Sequence, residues 1–222
     1  MDRDTLRERV RAGWQRILFY IVPSAFAFMA LGDYCVGILY RAGRFGAQEQ
    51  RIVYLVLAAS AIGLVSFASV KLLASAHYAL QDYRTPLRAS IAGILLSAVI
   101  AISIAVPMHR SPLGVAGIAL GSALGSYVNL SLLVRGLRAR LGNLYTSAMW
   151  RGTRRIILSG LAATVAGLVL KWAHLHWMPS LHTRLAGIPI LAVYGVTYLL
   201  VAWWNGSLEA ARWLRLKERV RA

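Results

Sequence analysis

The residues with the clearest chemical potential are basic side chains inside or beside long apolar runs. Lys71 lies in the run S-V-K-L-L, and Arg84 and Arg88 follow in the polar stretch of residues 74–88, A-S-A-H-Y-A-L-Q-D-Y-R-T-P-L-R. A cation in an apolar run is costly unless it meets a cavity, an acidic partner or a lipid phosphate. Lys71 is therefore a candidate phosphate contact, and snorkelling of its side chain to the membrane surface is the alternative.

Two further polar side chains interrupt apolar runs. Asp33 either serves a function or reaches the headgroups. The second alternative is open because Asp33 lies near the end of its apolar run. Asn129 is expected to make an interhelical hydrogen bond rather than a substrate contact. Gly117, Gly121 and Gly125 recur every four residues, which is typical of close helix packing. A nucleotide-binding glycine loop is excluded because it needs a preceding strand.

The sequence shows no recognisable set of catalytic residues or metal ligands. It lacks a Ser/His/Asp order, paired carboxylates inside an apolar run and an H-E-x-x-H motif. His174, His176 and His182 are expected in a loop, and two histidines two positions apart do not share a helix face. The lone Cys35 cannot form an internal disulfide. We expect a protein that is not an enzyme and that needs no cofactor or metal.

Composition indicates a membrane protein that crosses the bilayer several times. The 222 residues are 58% hydrophobic with a mean hydropathy of +0.58, and the apolar residues form uninterrupted runs. The net charge of +17 would suggest nucleic acid in a soluble protein, but here the charges lie between apolar runs. Nucleic-acid binding is therefore not expected.

Six runs are long enough to span a bilayer, which predicts an all-α, polytopic integral membrane protein with six transmembrane helices. The predicted spans cover residues 14–40, 52–80, 86–106, 114–134, 155–172 and 185–204. Residues 74–88, which we call the elbow, then lie at a membrane surface, with Asp82, Arg84 and Arg88 in the headgroup layer. In the first span Pro23 predicts a kink whose freed carbonyl is satisfied by a neighbouring helix.

The basic residues predict the orientation of the chain in the membrane. Nineteen of the 25 Lys and Arg residues fall on the side of the elbow and six on the other. Six spans bring both termini to the elbow side, and the positive-inside rule makes that side cytoplasmic. An Arg-rich amphipathic turn precedes the first span, and the basic, amphipathic residues 207–222 are expected to lie along the interface.

Four segments resemble one known family, the MurJ/MviN-type lipid II flippases of the multidrug/oligosaccharidyl-lipid/polysaccharide exporter superfamily. The elbow is similar to that family's pattern R-A-F-Y-A-x-x-D-T-R-T-P, and residues 38–47 resemble its L-F-x-R-G-x-F-T-A. Residues 114–133 resemble its glycine-rich helix with a terminal V-N, and the opening residues with Pro23 resemble the entry to one of its helices. The four segments occur in the family's order over most of the chain.

The resemblance implies the last six of fourteen helices, as in a C-terminal fragment or the product of a split or truncated gene. Residues 1–140 would form the end of the C-terminal lobe. Residues 141–222 would supply two further helices that form a groove for the lipid tail. The resemblance further implies alternating-access transport of an undecaprenyl-pyrophosphate-linked peptidoglycan precursor across the bacterial inner membrane. The implied partners are membrane lipids and the missing N-terminal lobe or other cell-wall synthesis proteins.

The sequence departs from the family at two kinds of position. The family's pyrophosphate contacts lie outside this chain, and its cation-linked asparagine is replaced in the third span, which offers Ser97, Ala101 and Ser103. Lys71, Arg84 and Arg88 remain to attract the phosphates of the substrate from the cytoplasmic side. The alternatives are an exporter of another lipid-linked saccharide or drug, and a non-transporting membrane scaffold or truncated remnant.

Overall fold

The structure, a computed structural model, describes residues 3–40, 46–108, 111–177 and 183–206. Within these residues the chain forms six α-helices: α1 (Arg3–Tyr40), α2 (Ala47–Ala79), α3 (Arg84–Ala105), α4 (Pro112–Leu141), α5 (Ser147–Trp177) and α6 (Thr183–Trp204). All six are long and apolar enough to cross a membrane. The predicted all-α architecture with six spans is confirmed.

Several helices extend beyond the predicted spans. The helix α1 begins at Arg3 and buries Leu6, Val10 and Trp14, so the predicted amphipathic turn is its first part. The helix α4 continues to Leu141 and α5 already starts at Ser147. Hydropathy marks where the apolar run ends, whereas Arg, Leu and Ala continue a helix readily outside it.

The extension of α5 beyond its predicted span corrects the predicted position of two histidines. His174 and His176 lie in the last turn of α5 and not in a loop, because this helix continues to Trp177. His182 and residues 207–222, with the predicted interfacial tail, fall outside the described residues.

The helix α1 joins two groups of helices. On one side α2 packs against α1 and α4, and α3 packs against α4. On the other side α5 and α6 pack against each other and against α1. The fully buried side chains include Phe19, Leu31 and Tyr34 of α1 and Leu133 and Leu137 of α4. The division into residues 1–140 and 141–222 stays a prediction.

Both ends of the described chain lie at one end of the bundle, which we call the elbow end. Arg7 donates to the backbone oxygen of Leu141, where α4 finishes. Arg155, in the first turns of α5, donates to the backbone oxygen of Gly206, after α6, at 3.2 Å. The starts of α1 and α5 therefore lie beside the ends of α4 and α6. Which side of the membrane this end faces stays a prediction from the basic residues.

The glycine series in α4 lies directly against α3. A Cβ atom on Gly121 would lie 2.8 Å from the backbone nitrogen of Ala101 and 2.9 Å from the backbone oxygen of Ser97. A Cβ on Gly117 or Gly125 would likewise collide with α3. The absence of side chains at these positions lets the two backbones touch.

The helix α6 is fastened to the turn of α1 that contains Pro23. Proline has no N–H, so the backbone oxygen of Phe19, four residues earlier, lacks its helical donor. The hydroxyl of Tyr198 donates to this oxygen at 2.6 Å, and the hydroxyl of Tyr194 donates to the oxygen of Pro23 at 2.7 Å. Both tyrosines are buried, so these bonds form where water is scarce. Tyr198 is the neighbouring donor that the sequence analysis expected for the freed carbonyl.

Replacing Tyr198 with Phe should lower the free energy of unfolding by about 1–3 kcal/mol, because the oxygen of Phe19 loses its donor. In a Pro23→Ala background the restored N–H can serve the same oxygen, so Tyr198→Phe should cost much less. Unfolding of the purified protein in detergent, followed by circular dichroism, measures both values. Tyr20→Phe, at a side chain that is 50% exposed, is the matched control. An equal cost of Tyr198→Phe in both backgrounds would contradict this account.

Candidate functional site at the elbow and the adjacent polar cleft

The carboxylate of Asp82 holds the elbow together. Its Oδ1 accepts a hydrogen bond from the backbone N–H of Thr85 at 3.1 Å, as a capping residue does at the start of a helix. Its Oδ2 lies 3.1 Å from Nδ1 of His77 and 3.1 Å from Nη2 of Arg140. One carboxylate therefore links the end of α2, the start of α3 and the last turn of α4. The Asp82 side chain is only 4% exposed because protein groups surround it, and its place in the headgroup layer stays a prediction.

His77 extends this link to the middle of α4. Its side chain is fully buried, and its Nε2 lies 3.1 Å from the backbone oxygen of Leu133. Both ring nitrogens thus face oxygen acceptors. Gly136 provides the space for the ring, since a Cβ there would lie 2.8 Å from Cε1 of His77. The His77 ring therefore packs directly on the backbone of α4.

The surroundings of Asp82 favour its ionised form. Hydrogen bonds from the side chain and backbone of Thr85, with smaller contributions from His77 and the charge of Arg140, lower its pKa from 3.8 to about 2, although burial acts in the opposite direction. A lowered pKa in the folded state stabilises the fold fully above the ordinary value of 3.8. This stabilisation is lost as the pH falls towards about 2.

Replacing Asp82 with Asn should lower the free energy of unfolding by about 1–3 kcal/mol, because His77 and Arg140 lose a charged acceptor. The difference between the two proteins should shrink as the pH is lowered from about 4 towards about 2, since the native carboxylate becomes protonated there. Unfolding in detergent across this pH range measures the effect. Asp4→Asn is the control, because Asp4 pairs with Arg7 at a side chain that is 77% exposed. A pH-independent difference would contradict the role of the charge.

A cleft of about 370 Å³ opens beside the elbow, between α2 and α3 and over α4. Most of its surface is apolar, and we call it the polar cleft for the six polar side chains among its lining residues. Its polar lining consists of Lys71, Ser90, Ser97, Ser122, Ser126 and Asn129, and Phe67, Val70 and Ile94 are its large apolar side chains. Lys71 is six residues before His77, and Asn129 is four residues before Leu133. With a rise of 1.5 Å per residue, both lie about 6–9 Å below the level of the elbow contacts.

The structure brings together two residues that the sequence analysis considered separately, Lys71 and Asn129. Asn129 donates from Nδ2 to the hydroxyl of Ser90 at 3.4 Å, the interhelical bond expected of it. Arg84 and Arg88 lie in the first turns of α3, are exposed, and are not among the residues that line the cleft. The predicted group of three basic residues is therefore divided between the cleft and the surface of the elbow.

Asp33 has a partner that the sequence analysis missed. Its Oδ2 lies 2.8 Å from Nζ of Lys171 in α5, and both side chains are largely covered. Lys171 also approaches the backbone oxygen of Ala30 at 3.4 Å, and Tyr34 shares a hydrogen bond of 2.8 Å with Nδ1 of His174. These contacts tie α1 to α5 at the end opposite the elbow. The signal that the sequence offered for this pair was that Asp33 and Lys171 each lie near the outer end of an apolar run.

Replacing Lys171 with Met should lower the free energy of unfolding by about 1–3 kcal/mol, between the values of exposed and fully buried pairs. Asp33→Asn in the same protein should recover most of this loss, because the unpaired carboxylate is removed. The control is Lys71→Met, since no carboxylate of the described residues pairs with Lys71. Thermal unfolding in detergent measures the four proteins. A loss that persists in the double variant would show that the pair itself is not responsible.

Two apolar clefts adjoin α5. The larger, about 490 Å³, lies between α1, α2, α4 and α5, and its lining includes Trp14, Phe26, Ile62 and Trp150. The smaller, about 250 Å³, lies between α5 and α6 near Trp177. A larger apolar cleft thus lies on the other face of α5, and the lipid-tail groove expected of the last two spans stays a prediction.

Among the described residues there is no group of three or more His, Cys, Asp or Glu side chains that could hold a metal. The six long apolar helices define a multi-pass, all-helical integral membrane protein. Comparison with known proteins identifies the family within this class. The sequence model described as "Lipid II flippase MurJ" matches residues 1–186. The chain belongs to this family, whose members are multi-pass proteins of the bacterial inner membrane.

Individual relatives agree with the family match. The chain is 34% identical over 180 residues to the lipid II flippase MurJ of Burkholderia cenocepacia, which covers 80% of this chain and 32% of the relative. It is 27% identical over 213 residues to the probable lipid II flippase MurJ of Rhizobium tropici, which covers 92% of this chain and 38% of the relative. The chain thus spans about a third of the length of these relatives.

A solved structure shows the same fold. The structure titled "Lipid II flippase MurJ, inward closed conformation" overlays this chain with a TM-score of 0.73 at 16% sequence identity. The match covers 90% of this chain and 39% of that chain. The arrangement of the six helices is therefore that of part of a larger helical bundle.

Proposed function

We propose that this chain forms part of a lipid II flippase that works by alternating access across the inner membrane. The substrate is then a peptidoglycan precursor linked to undecaprenyl pyrophosphate. The proposal rests on one observation: the family match extends over most of the chain, and the same helices fit part of a solved member. We further propose that the chain is not an enzyme and binds no nucleic acid, since its family is one of transporters.

A chain of this extent offers only part of the path that the substrate needs. It spans about a third of the relatives named flippases, and alternating access requires two lobes that close around one site. Only 11% of the apolar stretch of α3 is buried, so most of this helix is free to meet lipid or further helices. We therefore propose that it works with an N-terminal lobe, within one polypeptide or as a separate one, and transports nothing without it.

The substrate would contact this chain through its phosphates and its tail. Lys71 in the cleft and Arg84 and Arg88 at the surface of the elbow would attract the phosphates, because all three are exposed cations at the same end of the bundle. The apolar clefts on the two faces of α5 would hold part of the polyprenyl tail. The elbow end would then face the cytoplasm, where the precursor is made.

Genetic complementation tests the proposed function. Cells depleted of their own lipid II flippase would express this chain alone, the N-terminal eight helices of the Burkholderia cenocepacia relative alone, or both together. We expect growth only with both, because the eight helices supply the N-terminal lobe and this chain completes the second lobe. The intact relative is the positive control, and membrane insertion of each chain is checked by immunoblotting.

Three results would contradict this proposal. Growth with this chain alone would show that it needs no second part. Failure of the pair, with both chains inserted and co-purifying, would favour the non-transporting scaffold or a remnant. Rescue of a cell that lacks a different lipid-linked saccharide exporter, but not of the flippase-depleted cell, would favour the other transport alternative.

A further inference from the structure

We infer that the polar cleft between α2 and α3 is a binding site for a lipid-borne phosphate group, held by Lys71 and Asn129. The cleft lies on one flank of α4, and its residues are distinct from the buried contacts of the elbow. The inference rests on the proposed function only where the bound lipid is the substrate itself. For other phosphate-bearing lipids it stands on the geometry alone.

The chemistry of the lining selects an anion. The polar side chains are one ammonium group, one amide and four hydroxyls, and no carboxylate lines the cleft among the described residues. Lys71 has no carboxylate partner there, so its charge is not neutralised by the part of the protein that the structure describes. Ammonium and hydroxyl groups donate hydrogen bonds to phosphate oxygens, and a cation at this depth is stable when it meets such a group.

Asn129 offers a second point of contact. Its Oδ1 is buried without a hydrogen-bond partner among the described residues, while its Nδ2 donates to Ser90. If the Asn129 side-chain amide flips, the Ser90 hydroxyl donates to Oδ1 and the NH₂ group is free to donate to an anion. A bound phosphate would thus use an amide that is only half satisfied without it.

The position of the cleft determines how the anion arrives. Lys71 and Asn129 lie about 6–9 Å below the elbow contacts, so with the elbow at the membrane surface they reach the outer part of a hydrocarbon core about 30 Å thick. A free anion is costly to bring to this depth, whereas a lipid phosphate is already anchored beside it by its apolar chains. Phe67 and Ile94, on the two walls of the cleft, are exposed apolar side chains against which such chains can pack.

Native mass spectrometry of the 222-residue chain in detergent tests the inference. The probes are phosphatidic acid, undecaprenyl pyrophosphate, a diacylglycerol without phosphate and free inorganic pyrophosphate. We expect Lys71→Gln to weaken binding of both phosphate-bearing lipids about tenfold, since a charged hydrogen bond is lost. Lys71→Arg should retain most of the affinity, and Asn129→Ala should weaken it severalfold. Diacylglycerol binding should not change.

The matched control is Arg154→Gln, which removes an exposed cation from α5 at the same end of the bundle. Thermal unfolding of each variant shows whether the fold is intact. Unchanged lipid binding by Lys71→Gln, or an equal loss with Arg154→Gln, would overturn the site. Competition by inorganic pyrophosphate at the concentrations of the lipids would overturn its lipid-borne character. This experiment measures lipid binding and not transport, so a loss of binding is distinguishable from failed complementation.

Discussion

Hydrocarbon supplies no hydrogen bonds, and the polar contacts of this protein follow from that constraint. Where Pro23 removes a helical donor, Tyr198 of another helix replaces it at 2.6 Å. Where the chain turns between α2 and α3, one carboxylate, that of Asp82, receives the free backbone N–H of Thr85 and two side-chain donors. These two breaks in the regular helix are therefore closed by side chains, which also fasten the helices together.

The polar contacts at the two ends of the bundle differ in kind. At the elbow end a buried carboxylate joins three consecutive helices, so α2, α3 and α4 are held together there. At the opposite end the Asp33 and Lys171 pair joins α1 to α5, which are far apart in sequence. Between α3 and α4 glycines bring the backbones into contact, and Asn129 adds a hydrogen bond to Ser90. This contrast leaves the cleft between α2 and α3 as a polar region that the protein does not close by itself.

A protein built in this way fits a part of a larger helical bundle better than an isolated module. The helix α3 is fastened to α4 on one side and is mostly exposed on the other. The apolar clefts around α5 open between helices that are joined through α1. These surfaces are suited to further helices and to lipid chains, which is what a fold shared with a larger flippase requires.

The sequence by itself determined the class, the number of helices and the family, because apolar runs, prolines and short motifs are local signals. It also identified Lys71, Asp33, Asn129 and Pro23 as unusual positions. Only the tertiary structure decided what each one meets: Lys171 for Asp33, Ser90 for Asn129 and Tyr198 for the turn at Pro23. The helix ends were also decided there, since charged residues continue a helix beyond the apolar run. Contacts between residues far apart in the sequence depend on how helices pack, and a single sequence carries no local signal for that.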